Sequence, residues 1–216
     1  MTDAGRPPVP PDAAPAAPSR YDLSEAGRAR LAAAQRAQRA RSDRRAKGLV
    51  IVYTGDGKGK TTAALGLLLR AWGRRQRVVM LQFIKEQGAR WGEIRAAERL
   101  GVEIIPLGGG FTWESHDIEH DRALAEQGWA ECRRRLESGA YDLVILDELT
   151  YCLNFGWLDL DEVLAVLRRR RPDSHVVITG RDAPAALVAF ADLVTEMREV
   201  KHPFHQGVKA QPGIEF

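Results

Sequence analysis

Residues 49–66 read Leu-Val-Ile-Val-Tyr-Thr-Gly-Asp-Gly-Lys-Gly-Lys-Thr-Thr-Ala-Ala-Leu-Gly: an apolar run, a glycine-rich turn, then a helix-forming stretch. The segment is close to the G-x-x-x-x-G-K-[ST] pattern of nucleoside-triphosphate-binding loops, with Thr54 in the first glycine's place and Gly55 beside it. The physics of such a loop survives that change. Gly55, Gly57 and Gly59 let the backbone turn tightly and aim successive N–H groups inward as an anion nest, with Asp56 and Lys58 between them. A helix beginning near Lys60 turns its unpaired N–H groups and positive dipole end toward the same point. Lys60 adds a full charge, and Thr61, followed by Thr62, offers a hydroxyl to a magnesium ion riding on the phosphates.

Outward from this loop the chain alternates short apolar runs with helical stretches. Strands are expected at 49–53, 78–83, 102–106, 142–147, 175–179 and 192–196. Helices are expected near 60–74, 92–100, 119–138, 160–171 and 183–190. Runs without period-2 alternation, such as Leu143-Val144-Ile145-Leu146, imply burial on both faces. The expected fold is therefore α/β: a single-domain P-loop, RecA-like fold with a mostly parallel six-stranded sheet flanked by helices and an N-terminal helical arm. The last twenty residues, with Pro203, Gly207, Pro212 and Gly213, read as irregular.

The expected organisation is a disordered Pro/Ala-rich extension over 1–20, a basic helical arm over 21–47 and the P-loop domain over 48–216. Asp22 and Glu25 have capping-box spacing at the head of an Ala/Arg/Gln stretch running to about Ala46. Residues 1–48 carry ten Arg/Lys against five acids, a net +5, which leaves −2 on the other 168 of 216 residues. A basic arm on a near-neutral body raises nucleic-acid binding, but aromatic stacking platforms are missing from the arm apart from Tyr21, so nucleic acid is not expected as a partner. No apolar run reaches the ~18 residues of a membrane span. The N-terminus lacks the apolar segment of a secretory signal. Cys132 and Cys152, far apart and without a CxxC, read as small buried side chains in a cytoplasmic protein.

Three further stretches carry chemistry. Leu143–Leu146 runs into Asp147-Glu148, the place where P-loop proteins keep the acids that hold magnesium, so Thr61, Asp147 and Glu148 form the expected metal set. Ile178-Thr179-Gly180-Arg181 ends a strand on a glycine and an arginine; Arg181 either reaches the triphosphate or begins a surface helix. Gly108-Gly109-Gly110-Phe111-Thr112-Trp113-Glu114 is either a closing flap over a large flat ligand or a loop whose aromatics tuck into the core, and spacing alone slightly favours the core.

Taken together, these motifs resemble one family, the cob(I)alamin (corrinoid) adenosyltransferases of cobalamin synthesis and salvage. The resemblance runs over about residues 25–216. It rests on Val52–Ala64, Gln82-Phe83-Ile84-Lys85, Gly110–Glu114, Leu146–Tyr151, Ile178–Arg181, and Val200–Phe204 through Gly207–Gln211. Asp56 stands where an asparagine is also common. What the resemblance implies is transfer of the 5′-deoxyadenosyl group of ATP to Co(I) of a corrinoid (cobalamin, cobinamide or cobyrinic acid a,c-diamide), releasing triphosphate. It implies ATP with Mg²⁺ or Mn²⁺, a homodimer whose N-terminal helix covers the active site, and an electron-donating flavoprotein reductase. It also assigns Phe111 and Trp113 to displacing the lower cobalt ligand, which decides for the flap. A RecA-like regulatory or DNA-dependent ATPase accounts for the loop and acidic strand but leaves the aromatic flap and the tail unexplained. A corrinoid- or nucleotide-binding chaperone without turnover is opposed by the intact Lys60/Thr61 pair.

Overall fold

The computed structural model describes residues 22–41, 47–86, 88, 91–110 and 117–215. The chain divides into two compact units, Met1–Arg45 and Ala46–Phe216. In the first, helix α1 spans Glu25–Arg41. Its start differs from the expected capping box. Ser24 is the cap, its hydroxyl accepting from the Gly27 N–H at 3.1 Å. Asp22 instead accepts from the Ser24 N–H at 3.0 Å and pairs with Arg30 at 2.7 Å. A serine two residues nearer the helix simply has the shorter reach to the third free N–H. Residues 1–20 and 42–46 lie outside the described residues.

The second unit is built on six parallel strands in the order β3-β2-β4-β5-β1-β6. These are β1 (Val50–Thr54), β2 (Val78–Glu86), β3 (Glu103–Gly108), β4 (Leu143–Asp147), β5 (His175–Thr179) and β6 (Leu193–Glu196). The helices between them are α2 (Lys60–Gly73), α3 (Gly92–Leu100), α4 (Ile118–Glu137), α5 (Leu149–Asn154), α6 (Leu160–Arg169) and α7 (Ala185–Phe190). Every strand and helix expected between 49 and 196 is present. β2 runs three residues past its expected end. α5 was not foreseen, because six residues are too few to show a helical period, and a single 3₁₀ turn, Pro203–Gln206, interrupts the tail.

Alternate residues of the central strands feed two separate cores, as a sheet covered on both faces requires. Val50, Val52, Val79, Leu81, Val144, Leu146, Val176 and Ile178 pack with α4, α5, α6 and α7. Ile51, Met80, Ile145 and Val177 pack with Ala64, Leu68 and Ala71 of α2. Full burial of a side chain such as Leu167 is worth about 1.5–3 kcal/mol. Cys132 and Cys152 are free thiols inside the first core, and burial pushes the Cys152 thiol up to about 12, so neither is poised to react. Pro106 sits in the edge strand β3, where a missing N–H is tolerated. No helix among the described residues is long and apolar enough to cross a membrane.

What this architecture positions is a row of strand ends. β4, β5 and β1 are neighbours, so their carboxyl ends open side by side, and open α/β sheets bind ligands there. Close packing at this edge depends on Gly180, whose φ is +138°; a Cβ there would lie 2.0 Å from Thr150 Oγ1. That hydroxyl is itself committed, donating to the Arg181 carbonyl at 2.6 Å. Gly180→Ala is expected to cost about 1–3 kcal/mol from backbone strain, before the clash with Thr150 is added. Urea unfolding of the ligand-free protein measures it, and an unchanged midpoint would show that the edge relaxes freely.

Candidate active site

The loop between β1 and α2 takes its shape from three glycine positions and one neighbouring backbone. Gly55 and Gly59 have φ of +91° and +112°. Gly57 donates its N–H to the Met197 carbonyl at 2.7 Å, and a Cβ on it would lie 2.6 Å from the Arg198 carbonyl carbon, so the chain leaving β6 presses directly on the loop. α2 starts with Gly59 at its N-cap and no side-chain cap, which leaves its first N–H groups without a side-chain partner, as an anion site requires. Thr54 is the last residue of β1, with its hydroxyl accepting from the Ala183 N–H at 3.1 Å. Its φ is not positive, which is why the first glycine of the loop pattern is dispensable.

Lys60 is buried, and its ammonium donates to the Gly55 carbonyl at 2.7 Å and the Gly57 carbonyl at 2.8 Å, so the loop is folded around its own cation. Burial is the main cause holding its pKa below the ordinary lysine value; Glu148 and Asp56 pull the other way, and Arg181 and Lys58 assist. Lys58 points to the C-terminal turn and pairs with Glu215 at 2.9 Å. Asp56 and Thr62 are exposed.

The two acids have different surroundings. Asp147 is fully buried, and three side chains donate to it: Thr61 Oγ1 at 3.0 Å and Thr179 Oγ1 at 2.6 Å to Oδ1, and Gln82 Nε2 at 3.1 Å to Oδ2. Glu148 follows at φ +61°, its N–H donating to the Thr179 hydroxyl at 2.9 Å. Its Oε2 is buried with no hydrogen-bond partner. Burial, reinforced by the Asp147 charge, pushes the Glu148 carboxyl up to about 7 against the pull of Lys60, Lys85 and Arg181. Thr61 spends its proton on Asp147, so the hydroxyl lone pairs face away from that acid.

An oxygen-only donor set of one hydroxyl and one unpaired carboxylate fits a hard cation that keeps several waters and phosphate oxygens. It does not fit a dedicated protein cage, and among the described residues no group of three or more His, Cys, Asp or Glu is placed to hold a metal ion. His202 and His205 stand apart from this set in the exposed tail, where His205 pairs with Glu199 at 2.7 Å.

The strand edge thus gathers Gly55 to Thr61, Asp147, Glu148 and Arg181. Arg181 follows Gly180, its carbonyl held by Thr150 and by Asn154 at 3.3 Å, and its charge is felt at Lys60 and Glu148. Phe111 and Trp113 lie outside the described residues, as does the stretch 111–116. Two residues given no role in advance are central: Gln82 and Thr179. The signal for Gln82 was a lone polar side chain inside Val78–Ile84, a strand otherwise buried and apolar. Beyond it, Lys85 pairs with Glu93 at the start of α3 and stacks 5.2 Å from the Trp91 ring centroid.

Residues 46–216 match the family described as ATP:corrinoid adenosyltransferase BtuR/CobO/CobP. The corrinoid adenosyltransferase of Escherichia coli strain K12 is 43% identical over 172 residues, 79% of this chain and 86% of that protein. Corrinoid adenosyltransferase CobA of Salmonella typhimurium is 44% identical over 172 residues, with the same shares. The corrinoid adenosyltransferase of Sinorhizobium sp is 40% identical over 179 residues, 79% of this chain and 81% of that one.

The Glu148 environment makes a prediction about the metal-free protein. A carboxyl whose folded pKa lies above its unfolded 4.5 contributes stability that is fully present below about 4.5 and lost as pH rises through about 7. Glu148→Gln removes that loss. The variant is expected to melt above the parent at pH 8 in EDTA, with the gap closing toward pH 5. A gap independent of pH would contradict the buried, proton-binding environment.

Proposed function

The chain belongs to the ATP:corrinoid adenosyltransferase family, and from that membership we propose how its strand-edge site carries out the reaction. The protein is an ATP-using corrinoid adenosyltransferase, and its relatives favour this over a DNA-dependent ATPase. In the proposed step the electron pair of Co(I) in the corrinoid substrate forms a bond to C5′ of ATP. The C5′–O bond breaks, cobalt becomes Co(III), and triphosphate leaves with the bonding pair. No proton is abstracted, so no general base is needed.

What the reaction does require is stabilisation of the charge that accumulates on the leaving triphosphate. The observation that carries this reading is the loop itself. The Gly55–Gly59 loop, the uncapped head of α2 and the Lys60 ammonium lie together at this strand edge, with the Gly57 N–H committed to the Met197 carbonyl. Asp56, Lys58 and Thr62 complete the nucleotide-binding segment, and Arg181 extends the positive field at the neighbouring strand end. Thr61 and Glu148 would hold Mg²⁺ or Mn²⁺ directly, with Asp147 orienting the Thr61 hydroxyl. The cation would supply neutralising charge on the phosphate oxygens. Holding C5′ in line between cobalt and the leaving oxygen is a further contribution, made by positioning.

Phe111 and Trp113 are proposed to close over the corrinoid and displace its lower ligand, which makes Co(II) easier to reduce to the nucleophilic state. Electrons would come from a flavoprotein reductase in the cytoplasm. The working form would be a homodimer, with no role for nucleic acid or membrane.

Incubation with ATP, Mg²⁺ and chemically reduced cob(I)alamin tests the reaction directly. Adenosylcobalamin and triphosphate in equal amounts are expected; ADP and phosphate would overturn it. Lys60→Ala is expected to lower kcat by about 10²–10³, the cost of one well-placed donor to developing charge. Trp113→Ala should keep ATP affinity yet lose turnover when a biological reductant replaces the chemical one; equal turnover with both reductants would remove the flap's role.

A further inference from the structure

Gln82 is fully buried near the carboxyl end of β2, directly across the ladder from Asp147. A polar side chain in such a place costs stability unless its hydrogen bonds are met. Its amide nitrogen meets Asp147 Oδ2 at 3.1 Å. The amide N–H therefore faces a carboxylate. That fixes the amide's orientation, since turning it over would set its oxygen against a carboxylate. Gln82 Oε1 is accordingly left buried without a partner. A native core tolerates such an orphan where the other half of the group is needed.

We propose that Gln82 is a positioning residue of the metal–triphosphate site. Its amide fixes the Asp147 carboxylate and, through it, the direction of the Thr61 hydroxyl. Asp147 Oδ1 takes the Thr61 proton at 3.0 Å, so the hydroxyl's lone pairs point wherever Asp147 sets them. Thr179 grips the same oxygen, which leaves Oδ2 as the end of the carboxylate that Gln82 alone restrains among the bonds described. Without the amide the carboxylate swings about its Cβ–Cγ bond and carries the Thr61 proton acceptor with it.

This inference rests on the proposal that the cation sits between Thr61 and Glu148, so the test separates the two. Mn²⁺ serves as the probe, its binding read by electron paramagnetic resonance on the full chain with ATP and without corrinoid. Gln82→Met, which keeps volume and loses the amide, is expected to weaken Mn²⁺ binding about 10–100-fold, the usual effect of removing an outer-shell partner. ATP affinity in EDTA should stay at the parent value, while the melting temperature falls because the buried Asp147 Oδ2 loses its donor. Gln82→Asn, one methylene short of Asp147, should show the same split and stands in if the Met variant folds poorly. In an Asp147→Asn background the Met change should add nothing, because the path runs through Asp147. Unchanged Mn²⁺ binding in Gln82→Met, while Glu148→Gln loses it, would overturn the positioning role alone. Equal losses of Mn²⁺ and metal-free ATP binding would reduce Gln82 to a packing residue. Parent-like Mn²⁺ binding in Glu148→Gln would overturn the metal placement and this inference together.

Discussion

The Asp147 carboxylate is fully buried at the end of β4, and side chains from three other elements donate to it: Thr61 from α2, Gln82 from β2 and Thr179 from β5. Each of these hydrogen bonds crosses between elements far apart in sequence, and those from Gln82 and Thr179 are fully buried. Loss of any one leaves a buried acceptor short, which costs more than the bond itself contributes. The geometry of the strand edge is consequently set by polar contacts, while the layers beneath it are set by apolar packing. Parallel strands alone would allow small sliding of one end against another. The shared acceptor removes that freedom at β2, β4 and β5 at once. Thr179 extends the clamp by accepting from the Glu148 N–H, so the second acid is placed by the same hydroxyl that holds the first.

Around this clamp the molecule accepts local cost. Glu148 sits in the left-handed region and buries an unpaired oxygen, and its carboxyl is pushed up to about 7 by burial and by Asp147. Backbone strain of this sort is worth about 1–3 kcal/mol and persists only where surrounding structure overrides it. Lys60, in turn, is buried against carbonyls and held below its ordinary pKa chiefly by that burial. Burial disfavours the charged form of both groups, and an opposite charge arriving in the site would offset that. In the proposed binding mode, phosphate oxygens would answer to Lys60 and a cation to Glu148.

Much of this was legible before any coordinates. The phosphate loop, the buried strand ending in two acids and the alternation of apolar runs dictate a parallel sheet, and the strand ends fell within a few residues of expectation. The division of labour between the acids was not legible. Asp147 and Glu148 are adjacent and chemically alike, and only the third dimension brings Gln82 and Thr179 to one and leaves the other free. Residues 65 and 32 positions away cannot be paired by spacing. A lone glutamine in an apolar strand was visible, but its partner was not. α5 escaped because one and a half turns have no period, and the helix cap at Ser24 was misplaced because Asp22 and Ser24 offer the same chemistry two residues apart.

Thr54 shows why a departure from the loop pattern does not weaken the phosphate site. Glycine is demanded only where φ turns positive or backbone approaches closely, and in this loop those places are Gly55, Gly57 and Gly59. At position 54 the chain is still a strand, so a β-branched residue fits, and its hydroxyl pins the loop after β5 through Ala183. The loop is therefore anchored at both flanks: by Thr54 on one side and by the Met197 carbonyl on Gly57 on the other. If the phosphates are the leaving group, the carbon is what departs toward the nucleophile and the anchored donors keep their place. Donors that stay fixed while charge grows on a stationary triphosphate lose nothing to reorganisation, and that is the condition under which electrostatic stabilisation is strongest. A rigid phosphate loop and a proton-free nucleophile are thus complementary demands of the proposed reaction.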